Sequence, residues 1–203
     1  MLSLDHLALA CTDLEAGARQ LEEKLGLPLA AGGEHPLMGT HNRLLSLGPE
    51  EYLELIAINP AAPAPSRPRW FDLDAFSGPM RLQAWIAKTD DLEGALALAP
   101  SGSGEVTALA RGDLRWKMAI PPSGKLPFGA SSPALIEWEG LAHPAARLPD
   151  HGARLLGLTL YHPEPSALRL ALAPLISDPR IAYVQGPASL SARISTPKGE
   201  ITL

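Results

Sequence analysis

A mixed α+β protein, built from a repeated unit of strand, helix and three further strands, is the fold class this sequence predicts. Three observations predict it. Short apolar segments are separated by turn residues: 21 prolines and 18 glycines punctuate 203 residues, which favours many short elements over a few long helices. The segments change hydrophobic period in a fixed order, from alternating to helical and back to alternating. The order also recurs, with Thr12 and Thr89 standing 77 residues apart in matching places, each just ahead of a helical run.

The first element alternates. Leu2, Leu4, His6, Ala8 and Ala10 would share one face of a strand and Leu7 and Leu9 the other, so the strand should be covered on both sides. Thr12-Asp13-Leu14-Glu15 reads as a capping box, Leu14, Ala18, Leu21 and Leu25 follow at helical spacing, and Gly26 is the expected stop. A strand is expected near Leu29–Ala31, then a polar, glycine-rich connection from Gly32 to Thr40. Strands at Asn42–Leu47 and Tyr52–Ile58 follow, joined by a turn at Gly48–Glu51. Residues 1–59 thus form a first βαβββ module. Residues 60–79 begin with Pro60, Pro63, Pro65 and Pro68 and read as a stiff, extended linker. A second module spans 80–140, with strands at Met80–Ala87, Glu105–Ala110, Asp113–Ile120 and Ala134–Glu139, and a helix capped within Thr89–Glu93. A third βαβββ-like unit, 141–203, opens with a strand at Leu155–Tyr161, has a helix carrying Leu168, Leu172 and Leu175, and closes with three strands.

Composition narrows the function. At 46% hydrophobic and 19% charged residues the chain can bury a core and is not a disordered tail. No apolar run approaches the ~20 residues of a membrane span, and the opening residues reach Asp5 without the basic stretch of a secretory signal. A single cysteine, Cys11, excludes a disulfide framework and a multi-cysteine metal centre. A net charge of −5 provides no attraction for nucleic acid or anionic lipid. A cytoplasmic location is the expectation.

The segments LDHLALACTDLEAG, GGEHPLMGTHNRLLSLG, EYLELIAINP and LPFGASSPALIEWEG, with the terminal STPKGEITL, resemble the glyoxalase-like domain family of the vicinal-oxygen-chelate superfamily. The resemblance implies paired βαβββ modules whose curved mixed sheets enclose a small-molecule cup. It also implies that the first and fourth strands of each module supply metal ligands in the metal-dependent members. His6 and Glu54 match the first-module positions, and superposing Thr12 on Thr89 puts Gln83 where His6 stands. If these residues hold an ion, imidazole and carboxylate donors suit Zn²⁺, Mn²⁺, Fe²⁺ or Ni²⁺, although an amide oxygen is a weak ligand. The other reading makes His6 and Glu54 a hydrogen-bonded pair serving stability.

Further candidates follow from residue type. Glu137 and Glu139 share one strand face and could act as general base in the cup; alternatively they form a polar edge facing water. Asn42 and Arg43 begin a strand, so one of them points inward, and Arg43 would offer a fork for an anionic group. His41 is the neighbouring ligand-binding candidate, while the glycines and Pro36 around His35 suit turn chemistry. Trp85, Trp116 and Trp138 lie on strands of the second module, with Trp116 the best candidate for the cup wall. Three functions stay open: metal-assisted isomerase, lyase or dioxygenase chemistry on a small organic molecule; metal-free sequestration of such a molecule; or a homodimer formed through leftover sheet edges.

Overall fold

A computed structural model describes residues 1–203 as two sheets. The larger has eight strands: β1 (Ser3–Ala10), β2 (Ala30–His35), β3 (Thr40–Ser46), β4 (Tyr52–Ile58), β5 (Arg81–Lys88), β6 (Glu105–Arg111), β7 (Leu114–Ile120) and β8 (Ala134–Trp138). Their spatial order is β2-β3-β4-β1-β5-β8-β7-β6. Each module is therefore a four-stranded sheet whose first strand pairs in parallel with its last, β1 with β4 and β5 with β8. The two modules join through the antiparallel pair β1–β5. The sheet curls until its edge strands β2 and β6 approach each other, so the cup closes within one chain.

Helix α1 (Leu14–Leu25) lays Leu14, Ala18, Leu21 and Leu25 on the convex side and ends at Gly26 in the left-handed conformation. Its N-cap is Asp13, whose carboxylate accepts from the Ala16 N–H at 2.7 Å, rather than Thr12. Asp91 caps α2 (Leu92–Leu98) in the same way, accepting from Gly94. The C-terminal sheet consists of β9 (Arg154–His162), β10 (Ile181–Gln185), β11 (Ser189–Thr196) and β12 (Gly199–Thr202), with α3 (Pro165–Leu172) following β9. Its order is β10-β9-β11-β12. It repeats the element order of the modules but not their pairing, because its first strand lies beside its second and third. This sheet covers the convex face, where Leu155, Leu158, Leu160, Ala192 and Ile194 join Leu7, Leu9, Trp85 and α1 in the larger core. No helix is long and apolar enough to cross a membrane.

Two details of the backbone set up the cup. The register of β1 against β5 slips between Leu4 and His6, which leaves Asp5 as a bulge residue. The bulge reverses the face of the side chains ahead of it. Leu2 and Leu4 therefore join Leu7 and Leu9 in the convex core, while Ala8 and Ala10 line the concave one. The single-face alternation expected from Leu2 through Ala10 is thus broken in the middle. The proline-rich segment, read from sequence as a linker, is instead a strap across the cup. Its continuation, Trp70–Ala75, forms a 3₁₀ turn in which Phe71 and Asp72 have φ of 58° and 54°. Trp70 and Phe71 stack at 5.4 Å and are buried in the concave core.

Candidate functional site

At one end of the concave core lies a chamber of about 30 Å³, room for roughly one water molecule. His6, Tyr52, Glu54, His35 and Asn42 line it from the first module. Trp116, Met118, Ile136, Trp138 and Arg111 line it from the second, and Trp70 and Phe71 descend from the strap.

The polar side is one connected network. The bulge places the fully buried Asp5 beside His6 instead of opposite it, and Asp5 Oδ1 lies 2.5 Å from His6 Nδ1. Asp5 Oδ2 accepts from the indole N–H of Trp138 at 3.0 Å and from His143 Nε2 at 2.9 Å. Because His143 Nδ1 accepts from the Ala145 N–H, the proton of His143 resides on Nε2. His6 stacks on Tyr52 at 4.3 Å, and its Nε2 faces Glu54 Oε2 at 3.6 Å. Burial works against a charged His6, but hydrogen bonds to Asp5 and Glu54 outweigh it and raise its pKa to about 9. Burial likewise pushes Glu54 up, and contact with His6 and Asn42 brings it down to about 2. Asp5, buried yet held by His143 and His6, also falls well below the usual carboxylate range.

The network continues through Asn42. Its Nδ2 donates to Glu54 Oε1 at 2.6 Å and its Oδ1 accepts from the Gly33 N–H at 2.8 Å. A Cβ on Gly32 would stand 2.0 Å from that same oxygen, so only glycine lets β2 pass this close. His35 Nε2 lies 3.1 Å from the guanidinium of Arg111, which can only donate; the ring is therefore neutral, with its Nδ1 proton toward Thr40 Oγ1 at 3.0 Å. Burial is the main reason its pKa is lowered, to about 4.

The meeting of His6 and Glu54 expected from the sequence is present, and Trp116 stands in the chamber wall. The other candidates need correction. On β3 it is Asn42 that points inward, so His41 and Arg43 face the convex side, where Arg43 pairs with Glu15 of α1 at 2.7 Å. Glu137 lies on the convex face of β8. It accepts from the Leu92 N–H at the start of α2 and pairs with Lys117 at 3.0 Å. Glu139 is exposed beyond the strand end. Gln83 falls at a second register slip of β5 and donates to the Phe71 carbonyl at 3.0 Å, bracing the strap. Trp85 packs in the convex core with its N–H on the Ser131 carbonyl. Cys11 is buried and its thiol is pushed up to about 11, which leaves it inert near neutrality.

These positions decide the fit of a divalent ion. His6 and Glu54 are two donors, and no third imidazole, carboxylate or thiolate completes a set with them. Asp5, the nearest carboxylate, is consumed by three donors, while Gln83 and Glu137 are engaged elsewhere. The residues present do not fit the divalent metal centre that the resemblance implies.

The sequence reading missed Asp5, Arg111, His143 and Trp70. Asp5 directly before a strand histidine was the available signal, since a carboxylate next to an imidazole is a common orienting pair. Nothing local marks the other three: Arg111 and Trp70 reach the chamber through the curl of the sheet and the path of the strap, and His143 meets Asp5 from the segment after β8.

Residues 4–176 match the glyoxalase-like domain family. Among solved structures, a hypothetical protein from Staphylococcus aureus aligns over 100% of this chain and 84% of its own, with a TM-score of 0.58 at 14% identity. The methylmalonyl-CoA epimerase from Mycobacterium tuberculosis aligns over 68% of this chain and 88% of its own, at 0.45 and 19%. A Streptomyces coelicolor methylmalonyl-CoA epimerase in complex with 2-nitronate-propionyl-CoA aligns over 70% and 100%, at 0.46 and 14%. No curated protein matches the sequence. With the paired modules, the cup between them and the match across most of its length, the chain belongs to the glyoxalase-like domain family.

Proposed function

We propose that this protein binds a small, flat organic molecule in the chamber without a resident metal, holding it between the tryptophans and the polar network. The supporting observation is that the carboxylates of the network and the His6 imidazole are already closed on protein partners. Asp5 has three donors, His6 has a carboxylate at each nitrogen, and Glu54 has His6 and Asn42. A general acid or base works best when its pKa lies near the operating pH. His6 at about 9 and Glu54 at about 2 are displaced from neutrality in opposite directions. Metal-assisted isomerase, lyase or dioxygenase chemistry, the other reading of this architecture, needs donors that His6 and Glu54 do not complete.

A ligand larger than water enters only if the strap lifts. Trp70 and Phe71 fill the cup from a segment whose Phe71 and Asp72 adopt the left-handed backbone conformation that most residues avoid. The test is a thermal-shift screen of small aromatic compounds, run with chelator and with divalent cations. Ligands that raise the melting temperature equally in both conditions, and fail to do so in Trp116→Ala, support the reading. A stoichiometric transition metal that co-purifies with the protein and is lost in His6→Ala would overturn it.

A further inference from the structure

We propose that Arg111 is an anion-binding residue of the chamber, and that the ligand carries a carboxylate held by its guanidinium. This rests on the binding reading above and names the chemical class of the ligand.

Arg111 ends β6, at the far edge of the second module, and reaches His35 and Asn42 in the first because the curled sheet brings β6 against β2. Its passage depends on Gly33: a Cβ there would lie 2.6 Å from Arg111 Cδ. Six other arginines, from Arg43 to Arg193, close on carboxylates. Arg111 instead meets two neutral acceptors, His35 Nε2 at 3.1 Å and Asn42 Oδ1 at 3.4 Å, both through Nη1. Nε and Nη2, the edge that grips a carboxylate in bidentate fashion, make no bond to the protein.

Glu54 does not fill that role. Asn42 stands between the two, giving its amide N–H to Glu54 and its oxygen to Arg111, while Glu54 has its own cation in His6. A second donor at the chamber is also unused, since the indole N–H of Trp70 is buried with no acceptor. Buried donors of this kind are rare in native folds. A ligand carboxylate would supply acceptors for both, and the neighbouring aromatic rings suit an aromatic acid.

The test is a titration of the full chain with benzoate and with benzamide, followed on the indole N–H resonances of its four tryptophans. Benzoate is expected to move the Trp70 and Trp116 signals and to bind about tenfold or more tightly than benzamide. Arg111→Met should abolish that preference and Arg111→Lys should retain part of it, with an unmoved Trp85 resonance certifying the fold. Should Arg111→Met fail to fold, the lysine variant alone decides, because loss of the bidentate fork must reduce the preference. Equal affinity for acid and amide, or a preference that survives in the variants, overturns the carboxylate assignment and leaves the chamber reading standing. If neither probe moves Trp70 or Trp116, the chamber reading falls and this inference with it.

Discussion

The two modules share one strand order, yet they contribute opposite chemistry to the chamber between them. From the first come Asp5, His6, His35, Asn42 and Glu54; from the second come Trp116, Met118, Ile136 and Trp138, with Arg111 its only charged chamber residue. The contrast reaches to single positions. Ala8 of β1 stands beside Glu54 of β4, whereas Ile86 of β5 stands beside Ala134 of β8. A duplicated architecture therefore supplies a symmetric cup without a symmetric donor set. A cup with polar groups on one wall and indoles on the other would hold the proposed ligand by two different forces: hydrogen bonding at one end and apolar contact at the other.

The strongest way to break this asymmetry is at Asp5. Asp5→Asn leaves the His6 imidazolium with Glu54 as its one carboxylate and places a new N–H among three donors. A loss of about 3–5 kcal/mol in urea-denaturation stability is expected. The comparable change in the second module, Gln83→Ala, removes one hydrogen bond to the Phe71 carbonyl and should cost only about 1 kcal/mol. Similar losses at both positions would show that the polar wall is not the more tightly constrained one.

The pH dependence of stability sharpens the same point. His6 keeps its proton to about pH 9 in the fold against 6.5 in the unfolded chain. Its contribution is therefore fully present below 6.5 and lost as pH rises through 9. His35 has the opposite sign: its pKa of about 4 gives a contribution present above 6.5 and lost as pH falls through 4. Stability should peak near pH 6.5, and His6→Gln should flatten the alkaline limb while the acid limb remains. Chemical denaturation across this range measures both.

The smallest effects belong on the convex face. Arg43→Ala breaks a largely exposed ion pair with Glu15, and Glu137→Gln weakens contacts to Lys117 and α2. Each should change stability by less than about 1 kcal/mol and leave chamber binding unaltered by calorimetry. A large loss of affinity from either would contradict the placement of these side chains outside the cup.

Most of the elements were legible because they rest on local patterns. The helical spacing of Leu14, Ala18, Leu21 and Leu25 and the alternation around Tyr52–Ile58 were enough to locate α1 and β4. The third unit showed its element order in the same way but not its pairing, since strand order depends on contacts distant in sequence. Half the site was legible. His6 and Glu54 stand on neighbouring strands at the positions the resemblance marks in the first module, so the resemblance brought them together. Asn42 against Arg43 was a question of strand phase, and phase cannot be read from one residue pair when β2 and β3 carry an irregular register. Asp5 was hidden by the bulge, which turned its side chain to the same side as His6.

The sequence by itself determined the class of the fold and its paired modules, because hydrophobic period and turn chemistry act over a few residues at a time; the imidazole–carboxylate couple at their centre followed only from the resemblance of its segments to the glyoxalase-like family. Tertiary structure decided what that couple can do. The curl of the sheet delivered Arg111 from the opposite edge, the bulge delivered Asp5, and the strap delivered Trp70. Each of these is a long-range closure whose energy comes from packing the whole cup rather than from any local preference of the chain.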